Sequence, residues 1–239
     1  MRTLDHESSK IGLEMNLNKT KIMTNSYERP IIIKGDYIEY VQDYIYLGKQ
    51  VSFNKTSNEE EITRRINVTW KKFWFQKEIL KGHYGSHLKK IVFDTCLLPC
   101  LLYGCETWVF TNKVKQKIKS TQTSMERSML KIRKIHKVRN ETIRQKTKIT
   151  DALKHALTLK WRWAGHISRY ADKRWTIETT RWNGPEGKIN VGRPRKRWAD
   201  DITNVKGSDW LTVSKDRETW KKLEEAFTQK GVHISHNED

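Results

Sequence analysis

The chain has 239 residues, enough for one or two domains with a real core, and its ten Trp, eight Tyr and six Phe exclude a disordered polymer despite 31 per cent charged residues. The formal net charge is +19, spread unevenly: residues 1–60 hold 8 Lys and Arg against 9 Asp and Glu, whereas residues 111–200 hold 25 against 7. That local excess, interleaved with Trp, points to nucleic acid as partner, with a membrane surface the weaker alternative because no long basic amphipathic anchor stands alone; no apolar stretch has the length of a span and no apolar core follows the charged start.

Residues 2–12 read as the last turns of a helix ending near Gly12. Leu13, Met15 and Leu17 then alternate with Glu14, Asn16 and Asn18, as in a strand. Residues 31–53 are β-branched and aromatic around a Lys34-Gly35-Asp36 turn, which predicts a hairpin and a further strand reaching Tyr46-Leu47-Gly48. A β-rich piece of this size cannot close a core alone, so residues 1–55 are expected to be a truncated domain and the least stable region.

Helices follow. Thr56 or Ser57 caps one that carries Glu59, Glu60 and Glu61 in its first turn, with Ile62, Ile66, Trp70 and Phe73 at helical spacing. The apolar run from Leu88 to Trp108 is interrupted at Pro99, which predicts two helical pieces with a kink or short loop between them. A helix over about 112–135 lines one face with Val114, Ile118, Met125, Met129 and Ile132, and another over about 149–169 stripes Leu153, Leu157, Trp161 and Ala164. Residues 171–198 hold three Gly and two Pro and read as a linker or loosely ordered arm, followed by short helices near 197–204 and 215–228. The fold class is therefore α+β, with a small β-hairpin piece (1–55), a mainly helical body (56–170) and a basic arm with short helices (171–239).

Several constellations carry residue types suited to chemistry. Cys96, Cys100 and Cys105 with His83 and His87 have no common zinc spacing and sit among Leu and Pro, so they read as small core residues, and their odd number suggests reduced thiols in an intracellular protein. The four Asn-x-Thr sequons, at Asn18, Asn54, Asn67 and Asn140, then read as chance. His166 reads as a hydrogen-bonded packing residue. Asp200 and Asp201, after Trp198 and Ala199, have the look of a polymerase metal box. They lack the hydrophobic flanking strands such a box needs, since Arg195, Lys196 and Arg197 precede them and Lys206 and Gly207 follow. They are expected instead as first-turn acids of a short helix or partners of neighbouring Arg side chains.

Four segments in order, "GLEMNLNKTKIM" (Gly12–Met23) with "YLG" (Tyr46–Gly48), "LLPCLLYGCETW" (Leu97–Trp108), "RWAGHISR" (Arg162–Arg169) and "GRPRKRWADDI" (Gly192–Ile202), resemble the palm end, thumb and C-terminal signatures of non-LTR retrotransposon endonuclease-reverse transcriptases. The resemblance covers roughly residues 5 to 225. It implies an RNA-directed DNA polymerase working with two Mg²⁺ held by palm carboxylates, with RNA, DNA or their hybrid as partner. The acids of that centre lie upstream of the Lys-Thr motif in the family, so this chain alone is expected to bind nucleic acid without polymerising. It implies no cofactor within residues 1–239, and it makes the missing palm, fingers and endonuclease domains intramolecular partners of a longer protein. A stand-alone nucleic-acid-binding protein made from the element, or a decayed remnant, are the alternatives.

The expected nucleic-acid contacts are Lys19 and Lys21 in the palm piece; Lys117, Arg127, Lys131, Arg133 and Lys134 on the third helix; Arg162, Arg169, Arg174 and Arg181 beyond it; and Arg193, Arg195, Lys196 and Arg197 in the arm. Trp175 and Trp182 are the candidate base-stacking residues, and Trp161 is expected in the core. Gly192-Arg193-Pro194 resembles a minor-groove hook, although Val191 stands where a hook has Arg. The same run serves equally as a nuclear-import cluster, which suggests a nuclear location, or as a solvated loop.

Overall fold

Short strands come first and helices follow in the computed structural model, which describes residues 2–54, 56–170, 175–182 and 196–233. The protein is α+β and mainly helical. Two compact units divide the chain, residues 1–61 and 62–239.

In the first unit α1 (Arg2–Lys10) stops before Gly12, whose φ of 75° no helix continues. Six strands follow: β1 (Lys21–Ile22), β2 (Ile32–Ile33), β3 (Asp36–Tyr37), β4 (Glu39–Tyr40), β5 (Asp43–Tyr46) and β6 (Lys49–Ser52). They pair only two by two: β1 parallel to β4 with Lys21 opposite Glu39, β2 antiparallel to β3, and β5 antiparallel to β6 with Asp43 opposite Ser52. Both hairpins turn on two left-handed residues, Lys34-Gly35 (φ 52° and 89°) and Leu47-Gly48 (φ 47° and 78°), the tight loop that matches strand twist. The expected strand over Leu13–Leu17 is absent. Asn16 folds that segment into a turn, its Oδ1 accepting the Lys19 amide at 3.0 Å and its carbonyl the Thr20 amide at 3.0 Å; a local side-chain bond prevails over alternation. Ile33 and Ile38 are the buried apolar side chains among the described residues of this unit.

The helix α2 (Ser57–Phe75) starts with Glu59 and Glu60 in its first turn, and its Ile62 and Phe73 are buried with Ile66 and Trp70 packed beside them. Short α3 (Lys77–Lys81) leads to α4 (Ser86–Val92), a π-helical turn (Phe93–Leu97) and α5 (Leu98–Leu101). No loop interrupts the apolar run at Pro99. The ladder widens instead, with the Leu98 N–H reaching back five residues to the Phe93 carbonyl, so that Pro99 falls in the first turn of α5, where its missing N–H costs nothing.

After a 3-10 turn at Cys105–Thr107 come α6 (Asn112–Met129), α7 (Asn140–Thr147) and α8 (Ala152–Ser168). The helix expected to 135 ends at Met129 because Lys131 turns left-handed (φ 58°), and the one expected from 149 starts later because Asp151 caps it, accepting the Lys154 amide at 2.8 Å. The remaining helices are α9 (Trp175–Arg181), α10 (Asp200–Lys206), α11 (Trp210–Val213), α12 (Arg217–Lys222) and α13 (Glu224–Val232).

One core runs through the second unit. Leu97, Leu98, Leu101, Leu102, Cys105 and Trp108 meet Leu153, Leu157 and Trp161 of α8 and Ile202, Trp210, Trp220 and Phe227 of the C-terminal helices. Trp161 and Trp220 stack at 3.8 Å between centroids and 4° between planes, and each indole N–H donates to the other's backbone carbonyl at 2.9 Å. Of the three cysteines, Cys105 is in this core while Cys96 and Cys100 are half-buried. A polar clamp crosses it: Gln122 donates to Glu126 at 3.0 Å and to the Thr150 carbonyl at 2.9 Å, and accepts the Ala152 amide at 2.7 Å. Burial pushes the Glu126 carboxyl above its usual range, and Arg144, 3.0 Å away, offsets this.

Candidate nucleic-acid interface

The C-terminal end of α6 carries negative partial charge, and the chain answers it with cations. Buried Lys89 reaches the Met129 carbonyl at 3.3 Å, its ammonium destabilised first by burial and then by the neighbouring charge of Lys131. The segment 131–139 then makes a framed turn. Lys131 and Lys137 are left-handed (φ 58° and 49°) and a 3-10 turn spans Lys134–His136. The Arg133 amide donates to His136 Nδ1 at 3.2 Å, and the His136 amide donates back to the Arg133 carbonyl at 3.1 Å. From inside, Arg127 Nη2 closes the turn on the Val138 carbonyl (2.7 Å) and Asn140 Oδ1 (2.9 Å). Lys131, Arg133, Lys134, Lys137 and Arg139 are left exposed, with no ion pair to any of them among the described residues.

Other expected contacts are distributed differently. In the first unit Lys19 is exposed and Lys21 is ion-paired with Glu39. Lys117 donates to Thr63 at 3.0 Å. Lys115 and Lys119 face the end of α13, reaching the carbonyls of His233 (3.4 Å) and Val232 (2.6 Å). Arg162 forms a two-pronged pair with Glu224, both contacts at 2.9 Å, and Arg169 donates to the Ser214 carbonyl at 2.8 Å. The guanidinium groups of Arg127, Arg162 and Arg169 thus tie this unit together. Trp175, Arg181 and Trp182 stand exposed on and just beyond α9, the two indoles 85% and 64% exposed. Lys196 is half-buried and Arg197 exposed, while Arg174, Arg193 and Arg195, and with them the proposed hook, lie outside the described residues. His166 is exposed, not packed inside; it lies 2.7 Å from the Tyr170 hydroxyl at an open hollow of about 300 Å³ lined also by Glu106, Leu159, Arg162 and Trp163.

The acid pair has a structural assignment. Both residues lie in the first turn of α10, as expected, and the partners described for them are the Lys160 ammonium and the backbone amide of Arg197. Asp201 holds Lys160 Nζ with both oxygens, at 2.9 and 3.0 Å, and Lys160 also reaches the Trp108 carbonyl at 3.3 Å. Lys160 is wholly buried under Phe110 and Trp198, 5.4 and 5.0 Å from the ring centroids. Burial lowers its pKa, and Asp201 opposes that shift. Asp200 accepts the Arg197 amide at 2.6 Å, and Trp198 Nε1 donates to the Glu106 carbonyl at 2.7 Å. Lys160 escaped the sequence reading although a signal existed: it lies seven residues after Leu153, on the apolar stripe of α8, where an unpaired Lys would be costly.

Compared with known proteins, the chain is 30% identical over 242 residues to an uncharacterized transposon-derived protein of Caenorhabditis elegans, covering 92% of this chain and 85% of the relative. This chain belongs to that transposon-derived family. No family model matches it, and no solved structure does. Among the described residues of this transposon-derived protein, the acid pair does not fit a two-metal centre. Among the described residues no group of three or more His, Cys, Asp or Glu converges, and the carboxylate of Asp201 is committed to Lys160. No helix among them is long and apolar enough to cross a membrane.

Proposed function

We propose that this chain is the C-terminal part of a non-LTR retrotransposon reverse transcriptase, a palm end followed by a helical thumb and basic tail, and that it holds nucleic acid by the phosphate backbone without carrying the polymerase's metal-binding acids. The transposon-derived relative supports the origin. The observation that carries the binding role is the 131–139 turn, where five exposed cations stand free of ion pairs among the described residues. Charges paired within the fold would lose their partners on meeting phosphate; these would not. Arg181, Trp175 and Trp182 add exposed groups to these cations, the indoles as stacking faces for unpaired bases.

Backbone binding of this kind releases counterions. With about six phosphate contacts, log K falls with log salt with a slope near −5. Fluorescence anisotropy with labelled duplex from low to moderate salt measures it, and a flat response overturns the reading. Primer extension on an RNA template with Mg²⁺ is expected to give no product from this chain alone; incorporation would show that the acids are present after all.

A further inference from the structure

We propose that the 131–139 turn is a wedge for duplex nucleic acid: Ile135 enters between base pairs from the minor groove while Arg133, Lys134, Lys137 and Arg139 hold the phosphates on either side. This rests on the nucleic-acid reading above and adds a geometry to it.

Four observations converge. Ile135 is 77% exposed at the middle of the turn, whereas Ile143 and Ile149, the next isoleucines along the chain, are buried. Its turn is rigidly framed, by left-handed Lys131 and Lys137, by the paired bonds between Arg133 and His136, and by Arg127 from beneath. A side chain that must push bases apart needs such a base, and a β-branched residue adds stiffness of its own. Cations surround it, and no acid occurs between Leu130 and Asn140. Lys131 already presses on the buried charge of Lys89, so an anion brought to the turn relieves a repulsion within the protein.

The chemistry of the tip selects the partner. Single strands are held on aromatic faces, since every base has a π-surface to stack. An aliphatic tip offers no such face. Aliphatic wedges flanked by Arg and Lys belong to proteins that part a base step from the minor groove and bend the duplex.

The test uses the full chain and a duplex carrying 2-aminopurine, whose fluorescence rises when it unstacks, with binding followed in parallel by anisotropy. DNA and RNA–DNA hybrid duplexes form the two arms. Saturating protein is expected to raise the 2-aminopurine signal about two- to fivefold in at least one of them, the order expected when a step is partly unstacked. Ile135→Ala should remove more than half of that rise and weaken binding about 3- to 10-fold without changing the salt slope. Lys134→Ala with Lys137→Ala should lower the salt slope by roughly 2 while leaving the rise at saturation in place. Because Ile135 is on the surface, circular dichroism and melting should be unchanged in all variants. Saturable binding with a flat 2-aminopurine signal, or an Ile135→Ala plateau equal to that of the unaltered protein, overturns the wedge and leaves the nucleic-acid reading intact. A flat anisotropy titration at low salt overturns both. Binding of an acidic protein that depends on Ile135, with no duplex response, would assign the turn to protein recognition and likewise overturn the wedge.

Discussion

Asp201→Asn is expected to destabilise the protein by about 3–5 kcal/mol, the range for stripping one partner from a buried ion pair. For a chain of this length that corresponds to a fall in Tm on the order of 6–20 °C. The cause is the charge left behind. Lys160 is completely buried and Asp201 is 11% exposed, so the lysine cannot find water when its partner goes. Removing the other member should hurt less: with Lys160→Met, Asp201 still reaches solvent and the methionine fills most of the lysine's volume. The double variant Lys160→Met with Asp201→Asn should recover much of the loss, because a well-packed apolar replacement for a buried pair is often neutral. The pH dependence follows from the lowered pKa of Lys160. The unfolded chain binds this proton more tightly than the folded one, so stability rises with pH between the folded value and the ordinary lysine value. Without Asp201 to raise it, the folded value drops further. The cost of Asp201→Asn should therefore be full only while Lys160 keeps its proton in the variant, and should shrink as pH rises through that lowered folded value. Urea titrations from neutral to alkaline pH measure this. The sign also separates the two meanings of the acid pair: in a metal box without metal, adjacent carboxylates repel, and removing one would be neutral or stabilising.

Local chemistry was legible in the sequence, and partners distant along the chain were not. The first hairpin was visible because Lys34-Gly35 carries its turn signal within two residues, whereas the segment of the second, which turns on Leu47-Gly48, read from its pattern only as a strand reaching Gly48. The start of α2 was visible because Thr56 and Ser57 precede a cluster of acids, and Trp161 could be placed inside from its stripe. Asn16 defeated the strand pattern with a bond to its own neighbours, a competition that alternation does not weigh. Pro99 suggested a break because a proline removes a donor; whether a helix stops or widens there depends on the packing of Phe93, Leu97 and Leu98 in the core. The interface was harder still. Basic residues from 111 to 200 were evident as a field, but nothing in their spacing distinguishes Arg127, closed on the carbonyl of Val138, from Arg133, left in solvent. Lys160 and Asp201 lie 41 residues apart, and neither alone announces the pair. A basic stretch thus states the sign of a field, and the fold decides which of its cations remain exposed.

Gly165→Ala is expected to cost about 2–4 kcal/mol, although alanine is the better helix former by about 1 kcal/mol. Gly165 lies in the "RWAGHISR" segment on α8, directly beneath the indole of Trp220. A Cβ built there would come within 2.5 Å of Trp220 Nε1 and 2.6 Å of its Cδ1, and 3.0 Å of Arg169 Nη1. Arg169 is a flexible end and can give way at some cost to its bond with Ser214. Trp220 cannot, because it is stacked on Trp161 at 3.8 Å and fastened by the two reciprocal N–H bonds. Moving its ring leaves the buried Trp220 donor unsatisfied, at a cost of about 1–3 kcal/mol, and opens the packing against Trp161 and Trp210. Gly165 is therefore required by close approach and not by backbone conformation. A double-mutant cycle separates this from a general effect of the substitution. Phenylalanine at 220 has no Nε1 and a smaller ring edge, so Gly165→Ala should cost at least 1 kcal/mol less in Trp220→Phe than in the unaltered chain. Equal costs in both backgrounds, measured by urea unfolding, would place the strain elsewhere. The near-ultraviolet dichroism of Gly165→Ala should weaken as the paired indoles lose their fixed geometry. Because α13 packs on α8 with Phe227 against Trp161, and α12 carries Trp220, one added methyl should loosen the C-terminal helices before it affects the 131–139 turn, and duplex binding should survive at temperatures where the variant is still folded.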